Sequence, residues 1–441
     1  MKWIAGTLAL LLLGLVFQLT LLVYAMYVLL GVLLLSRFFT RSWTEQLTAT
    51  RQCAGEAFEI GESTEVTVEV TNQGSLTIPW LIMEDSLPQA ALAQLPQRLQ
   101  VEGGRLTLTR LAAGESEVFN YQVTFLMRGY YQLGPLLLET GDVFGLHRRF
   151  RVATEPHFAL VRPKVLPLQG YNLASRRPLG EIRVVHRLFE DPTRLAGVRP
   201  FQQGDPLRRI HWRATARTGE IHSRLYENSR VAGATFLLDF HAQNYSGGGA
   251  VQSAELAIVA VASLANAVFL MGQQIGFVSN GRDAADRIRE EGWRAEFTTR
   301  ADAFHRADDL APNDRLRPVR VETRKGGDKL REILETLARL EHTDGLEFGE
   351  MLAATVAQIP RDATVVPVLR RVTPEIAIAL GGLVRRGFLV TAVVADYNGE
   401  PIPDWAAPPP WAGLLLAQGV DFRVVNSEEG IMNLCASAIV R

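Results

Sequence analysis

The densest collection of groups able to do chemistry lies between residues 162 and 230, where His186, Asp191, Asp205, His211 and His222 share one polar strip. Imidazole and carboxylate side by side could act as general acid and base, or hold a metal. The spacing argues against both. No pair of His stands one helical turn apart around a Glu, and Ser223 and Ser229 lack the strand–turn–helix setting of a nucleophile elbow. Guanidinium dominates the strip instead: fourteen Lys plus Arg, thirteen of them Arg, face six Asp plus Glu, a net of +8 that leaves −9 for the rest of the chain. Carboxylates in that company read as ion-pair partners, and no enzymatic activity is expected. Arg209, Arg213 and Arg217 fall at i, i+4 and i+8, a guanidinium stripe on one helical face. Beside Phe201 and Trp212 such a stripe could bind phosphate, dock a protein, or lock two domains through Arg208, Arg213 and Arg217, with Trp212 packed between them. The lock is the favoured reading and a docking surface the second. Nucleic acid is not expected, because a formal charge of −1 is not that of a polyanion binder. Cys53 and Cys435 are the only cysteines, which excludes a disulfide scaffold and a four-Cys zinc site.

The stripe needs a helix to carry it. Gly204 supplies a turn, Asp205 an N-cap and Pro206 a first helical residue; Leu207, Ile210 and Ala214 line one side, and Thr218-Gly219 ends the helix. Upstream, residues 46–160 alternate with the period of half-buried strands. Val66, Val68 and Val70 share one face, and further strands are expected over Arg105–Leu111, Glu117–Leu126 and Tyr130–Glu139, punctuated at Ala113–Ser116, Arg128-Gly129 and Gly134-Pro135. Short strands with no long amphipathic helix between them predict a β-sandwich. Downstream the pattern becomes alternating strand and helix: strands at Ala234–Phe240, Gln274–Ser279, Thr364–Leu369, Phe388–Ala395 and Val420–Asn426, helices at Ser253–Met271, Asp328–Leu340 and Pro374–Arg386. That order predicts a doubly wound sheet. Residues 281–327, charged and poorly periodic, read as an insertion or variable face.

The first 41 residues belong to neither pattern. From Trp3 to Leu35 there is no Asp, Glu, Lys, Arg or His. The run exceeds one average crossing of about 20 residues and suffices for two short ones, with Phe17-Gln18-Leu19-Thr20 as the turn. A cleaved signal peptide has a shorter apolar region and a small-residue cleavage site, whereas this run stops at Ser36-Arg37-Phe38-Phe39-Thr40-Arg41. With Lys2 at one end and Arg37 and Arg41 at the other, a hairpin puts both ends on the cytoplasmic side of the plasma (inner) membrane, and a single tilted span would also leave the Arg-flanked end and residues 42–441 there. The expected organisation is a transmembrane hairpin over 1–41, a sandwich over 42–160, an Arg-rich connecting segment over 161–231 and an α/β domain over 232–441.

The stretch from Arg199 to Glu220 resembles the signature of the bacterial domain-of-unknown-function 58 family in Phe201, Gly204-Asp205, Arg208, Ile210, Trp212 and Ala216-Arg217. Gly61-Glu62, Val66 to Asn72, Arg128 to Pro135 and Asp142 to Leu146 extend the resemblance. It implies two N-terminal membrane helices, an immunoglobulin-like β-domain, a von Willebrand factor A-like α/β domain and a MoxR-type AAA+ ATPase as partner. Von Willebrand factor A-like domains can hold Mg²⁺ through Asp-x-Ser-x-Ser and later oxygen ligands. Here only Asp239 remains, His241 and Gln243 replace the serines, and Arg370 stands where a second Asp would be wanted. Neither metal nor cofactor is therefore expected, and Asp239 should cap a loop or pair with an Arg. The expected function is a membrane-anchored scaffold; the alternative is a metal-dependent enzyme or metal-gated adhesion module.

Overall fold

The computed structural model describes residues 2–93, 95–142, 145, 147–168, 190–200, 210–228, 233–286, 316–361, 363–397 and 411–434. The chain forms two compact units, one of Met1–Lys164, Arg282–Arg315 and Leu334–Glu341, the other of Val165–Gly281, Leu316–Ile333 and His342–Arg441.

The first unit begins with two apolar helices, α1 (Lys2–Val16) and α2 (Thr20–Glu45), which meet at the expected turn with Gln18 at φ 53°. At 1.5 Å per residue α1 is about 22 Å long, short of a hydrocarbon layer of about 30 Å. The longer α2 is apolar enough to cross one. It does not stop at Arg41. Its second half buries Leu33, Ser36, Thr40, Trp43 and Thr44, a stripe at steps of three and four, and Arg151 Nη1 donates to the carbonyls of Thr44 and Leu47 at 2.9 and 3.1 Å. A capped C-terminus with a buried face carries the helix on to Glu45. Ser36 Oγ donates to the Asp142 carboxylate and lies 2.9 Å from His147 Nδ1, so a hydroxyl of α2 is tied to the strands.

Those strands are β1 (Leu47–Cys53), β2 (Ala57–Phe58), β3 (Ser63–Asn72) and β4 (Ile78–Asp85), a short α3 (Gln89–Ala93), then β5 (Leu99–Gly103), β6 (Leu106–Leu111), β7 (Ser116–Phe125), β8 (Gly129–Leu133), β9 (Leu136–Gly141), β10 (Arg148–Val152) and β11 (His157–Val161). Two four-stranded antiparallel sheets, β1-β3-β7-β5 and β10-β9-β4-β6, share one core in which Val66, Val68, Val70, Tyr121 and Phe125 meet Leu81, Met83, Leu136 and Leu138. Trp43 of α2 belongs to the same core. A third sheet, β2-β11-β8, completes the layer. The run Tyr130–Glu139, expected as one strand, is two strands in different sheets. Gly134 breaks it at φ 85°, and a side chain there would run into the Arg51 guanidinium. Arg51 and Asp85 form a buried ion pair, to which Tyr121 Oη donates a hydrogen bond of 2.6 Å. Burial pushes both the Asp85 carboxyl and the Tyr121 hydroxyl above their ordinary values.

In the second unit β12 (Glu190–Pro200) pairs antiparallel with β13 (His222–Asn228), and α4 (Trp212–Thr218) lies between them in sequence. Then come β14 (Gly233–Leu238), α5 (Ala250–Leu270) and β15 (Gln274–Ser279). A two-residue pair, β16 (Arg282–Asp283) with β18 (Leu340–Glu341), belongs to the first unit. The alternation continues through β17 (Val319–Arg324), α6 (Gly327–Arg339), α7 (Phe348–Thr355), β19 (Ala363–Leu369), α8 (Pro374–Arg385), β20 (Thr391–Ala395), α9 (Ala412–Ala417), β21 (Asp421–Val425) and α10 (Glu428–Met432). The sheet order is β17-β15-β14-β19-β20-β21, all parallel except the edge strand β17. Every residue of β14 and β20 is buried, as strands covered on both faces require. Helix α5 meets the length and hydropathy of a membrane span but is 78% buried, so it is the core helix of this sheet. Strand β17 lies inside the stretch read as variable.

Candidate functional site

In a doubly wound sheet, ligands settle outside the carboxyl ends of the strands where the strand order reverses. Here that point lies between β14 and β19, which place Asp239 and Arg370 one residue beyond their ends. Asp239 is fully buried. Its Oδ2 accepts from Asn244 Nδ2 at 2.6 Å; its Oδ1 accepts from Asn280 Nδ2 at 2.9 Å and from the His241 N–H at 3.3 Å. Asn280 is itself held, accepting from the Phe240 N–H at 2.6 Å and donating to the Leu346 carbonyl at 3.1 Å. Tyr245 Oη donates to the Asp239 carbonyl at 3.0 Å, and Phe240 stacks on His342 with centroids 4.0 Å apart. Burial pushes the Asp239 carboxyl above the ordinary carboxylate range, against the pull of the bonds from Asn280, the His241 N–H and Asn244.

Arg370 is also buried. Its Nε donates to Asp396 Oδ1 at 3.3 Å, Nη1 to the carbonyls of Asn244 and Ser246 at 3.3 and 3.1 Å, and Nη2 to the Gly248 carbonyl at 3.2 Å. The loop after β14 is thus wrapped around a guanidinium. Ser253 Oγ donates to the same carboxylate oxygen of Asp396 at 3.3 Å.

This donor set does not fit a divalent cation. A hard ion needs several free oxygen ligands. Both oxygens of Asp239 already face N–H donors. His241 uses Nδ1 to accept from the Gln243 N–H at 3.4 Å, and the carbonyls around Arg370 already hold a positive charge. Of the two roles expected for Asp239, the structure shows the loop cap; its partners are amides, not an Arg. Among the described residues no group of three or more His, Cys, Asp and Glu gathers as a metal would require.

The signature segment is built differently from the sequence expectation. Phe201, Gly204, Asp205 and Arg208 lie outside the described residues, as do Arg209, His186 and Ser229. The described helix begins only at Trp212. Ile210 is not on it: buried, it bridges to Ser223 across from β13. His211 is the N-cap, its Nδ1 accepting from the Ala214 N–H at 3.0 Å, and Gly219 at φ 78° closes the other end. His211 N–H donates to the His222 carbonyl at 2.8 Å, and His222 Nδ1 lies 2.8 Å from the Glu220 carbonyl. Both imidazoles thus serve local backbone geometry. Trp212, expected to pack, is 68% exposed, and Arg213, Ala216 and Arg217 are exposed with it. Neither arginine makes an ion pair among the described residues.

Sequence reasoning missed Asn244, Asn280 and Asp396 altogether. Asn280-Gly281 directly after β15 is the turn signal that could have marked one of them.

A family model described as "Protein of unknown function DUF58" matches residues 197–337, which include α4, the Asp239 loop and Asn280. A search of curated proteins finds no match. Among solved structures, the CARDB domain of the PF1109 protein of Pyrococcus furiosus, in complex with di-metal ions, is 15% identical over 26% of this chain and 86% of its own, with a TM-score of 0.17. A cohesin module from a Clostridium perfringens family 33 glycoside hydrolase is 11% identical over 26% of this chain and 96% of its own, with a TM-score of 0.19. Salmonella alpha-2-macroglobulin, as a mutant, is 16% identical over 28% of this chain and 7% of its own, with a TM-score of 0.20.

Proposed function

We propose that the chain is a member of the domain-of-unknown-function 58 family and acts as a membrane-anchored, cytoplasm-facing interaction protein, working with a MoxR-type AAA+ ATPase. In this reading α1 and α2 form the anchor in the plasma (inner) membrane. The sandwich is an immunoglobulin-like module, and the second unit is a von Willebrand factor A-like domain without a metal. The strand order, with its antiparallel edge strand β17, supports that domain type; the signature residues support the family and, through it, the ATPase.

One observation carries the choice of scaffold over enzyme. At the carboxyl ends of β14 and β19 the described polar groups are bound to one another, Asp239 holding two amides and Arg370 held by three carbonyls and Asp396. A site closed in this way offers a fixed surface rather than a place for a substrate or an ion. The test is capture of the ATPase by the detergent-solubilised full chain, with EDTA and with excess Mg²⁺. Equal capture in both supports the scaffold. Binding that collapses in EDTA and returns with Mg²⁺ would favour the metal-dependent alternative.

A further inference from the structure

Helix α4 is short, yet four of its seven residues face solvent together. At 100° per residue Trp212, Ala216, Arg213 and Arg217 span an arc of about 140°, in that order around the helix. The indole and the small Ala216 make an apolar strip, and beside it run two arginines one turn apart, their Cβ atoms about 6 Å from each other by helix geometry. Trp212 is 68% exposed, and Ile221, beyond the Gly219 turn, is 51% exposed. Neither arginine has an ion-pair partner among the described residues. Nor is the helix free to rearrange and hide these groups: His211 caps it, Gly219 ends it, and Thr215 Oγ1 accepts from the His222 N–H at 3.1 Å, tying it to β13.

We infer that this face of α4 is the docking site for an acidic protein segment, one that sets two carboxylates a helical turn apart against Arg213 and Arg217 and lays an apolar side chain on Trp212. The inference rests on the reading of the chain as an interaction protein and names the chemistry of its partner. Charge complementarity selects the occupant. A planar guanidinium takes a carboxylate through two parallel N–H···O bonds, and two of them at helical spacing match a Glu pair at i, i+4. An indole next to charge pairs that lose their water on binding is the usual composition of an interface centre. Nucleic acid fits less well, because two guanidiniums neutralise only about two phosphates and the chain's formal charge is −1.

The test uses the full chain in nanodiscs of neutral lipid and three fluorescent probes. One is a helical peptide with paired Glu flanking Leu, the second is its Lys-for-Glu counterpart, and the third is an oligo-dT strand. The acidic peptide should bind, more weakly as salt rises, and the basic peptide should not. Trp212→Ala and the double variant Arg213→Ala/Arg217→Ala should each weaken binding about tenfold or more. The Lys-for-Arg double variant should recover part of the loss. The melting curve should stay in place for all of them, since the altered side chains are exposed. Failure of the acidic peptide to bind, binding unchanged in the variants, or preference for oligo-dT would overturn the inference. ATPase capture by the same variants is read separately. Wild type capturing none counts against the partner named above and leaves the peptide result to decide the docking face. Capture undiminished in the variants, with the peptide unbound, overturns the docking face alone.

Discussion

Replacing Asp239 distinguishes a hydrogen-bond keystone from a metal ligand, because the two roles respond oppositely to Asn. In Asp239→Ala three donors lose their acceptor. Asn244 Nδ2, at 2.6 Å, loses a short bond outright; Asn280 keeps its bond to the Leu346 carbonyl; the His241 N–H loses only a long contact of 3.3 Å. A stranded buried donor costs about 1–3 kcal/mol, partly offset here by removing a carboxylate that burial disfavours, so the net loss should be about 1–2 kcal/mol. Asp239→Asn should cost within about 1 kcal/mol at neutral pH, because Asn280 can still donate to the new carbonyl while Asn244 turns its own oxygen to the new amide. The pH dependence has a definite sign. Burial raises the folded-state value of Asp239, so its ionised form carries a penalty that grows as pH rises from the ordinary carboxylate range through the folded value. Acidification should therefore shift the wild-type-to-Asn difference in favour of wild type. Denaturant titration of the full chain in detergent, across pH and with EDTA or Mg²⁺, reads all of this. A cation ligand would behave otherwise: Mg²⁺ would stabilise wild type, and Asn would abolish that gain. Either a Mg²⁺-dependent midpoint or an Ala variant as stable as wild type would refute the keystone.

Three further outcomes are expected. Asp85→Ala, which leaves buried Arg51 without its charge partner and Tyr121 Oη without its acceptor, should destabilise the first unit by about 3–5 kcal/mol in the same titration; an unmoved transition would mean the pair is not enclosed. Arg217→Ala should change stability by no more than about 0.5 kcal/mol, since its side chain is exposed and unpaired among the described residues, and a loss of several kcal/mol would favour the lock. A reporter fused after Arg441 should read cytoplasmic, because Lys2 and Arg37/Arg41 flank an uncharged turn; a periplasmic signal would overturn both the orientation and the ATPase partnership.

The sequence is most legible where one residue pattern has one structural answer. Val66, Val68 and Val70 alternate in sequence and are all fully buried on one face of β3, and Gln274–Ser279 is a strand over the stated residues. Strand β17 escaped notice because it is an edge strand: Arg320, Glu322 and Arg324 point to solvent or half to solvent, so its alternation is written in charges rather than hydrophobics. The single helix expected from Pro206 to Arg217 fails at Ile210, where a bridge to Ser223 and a cap from His211 override local helix signals. Arg370 was visible as a missing ligand. That it supplies a positive charge of its own depends on three carbonyls of a loop more than 120 residues earlier, which no spacing reveals.

The same reasoning separates charges that hold the fold from charges left for a partner. Arg51 is enclosed by Asp85 and the carbonyls of Leu133 and Glu155, Arg151 caps α2, and Arg370 organises the strand-end loop. Each guanidinium meets backbone or carboxylate acceptors, and each fixes a junction in its own unit. In the first unit only Gln46 separates α2 from β1, and Trp43 and Ser36 are already bound to the strands, so the helix and the sandwich have no free link between them. Motion of α2 would then carry the sandwich with it. Arg213 and Arg217 differ from all of these. They stand on a helix capped at both ends, exposed beside an exposed indole, and no acceptor among the described residues meets them. Among the described residues nothing in the folding of α4 requires them there, which supports the docking face proposed for them.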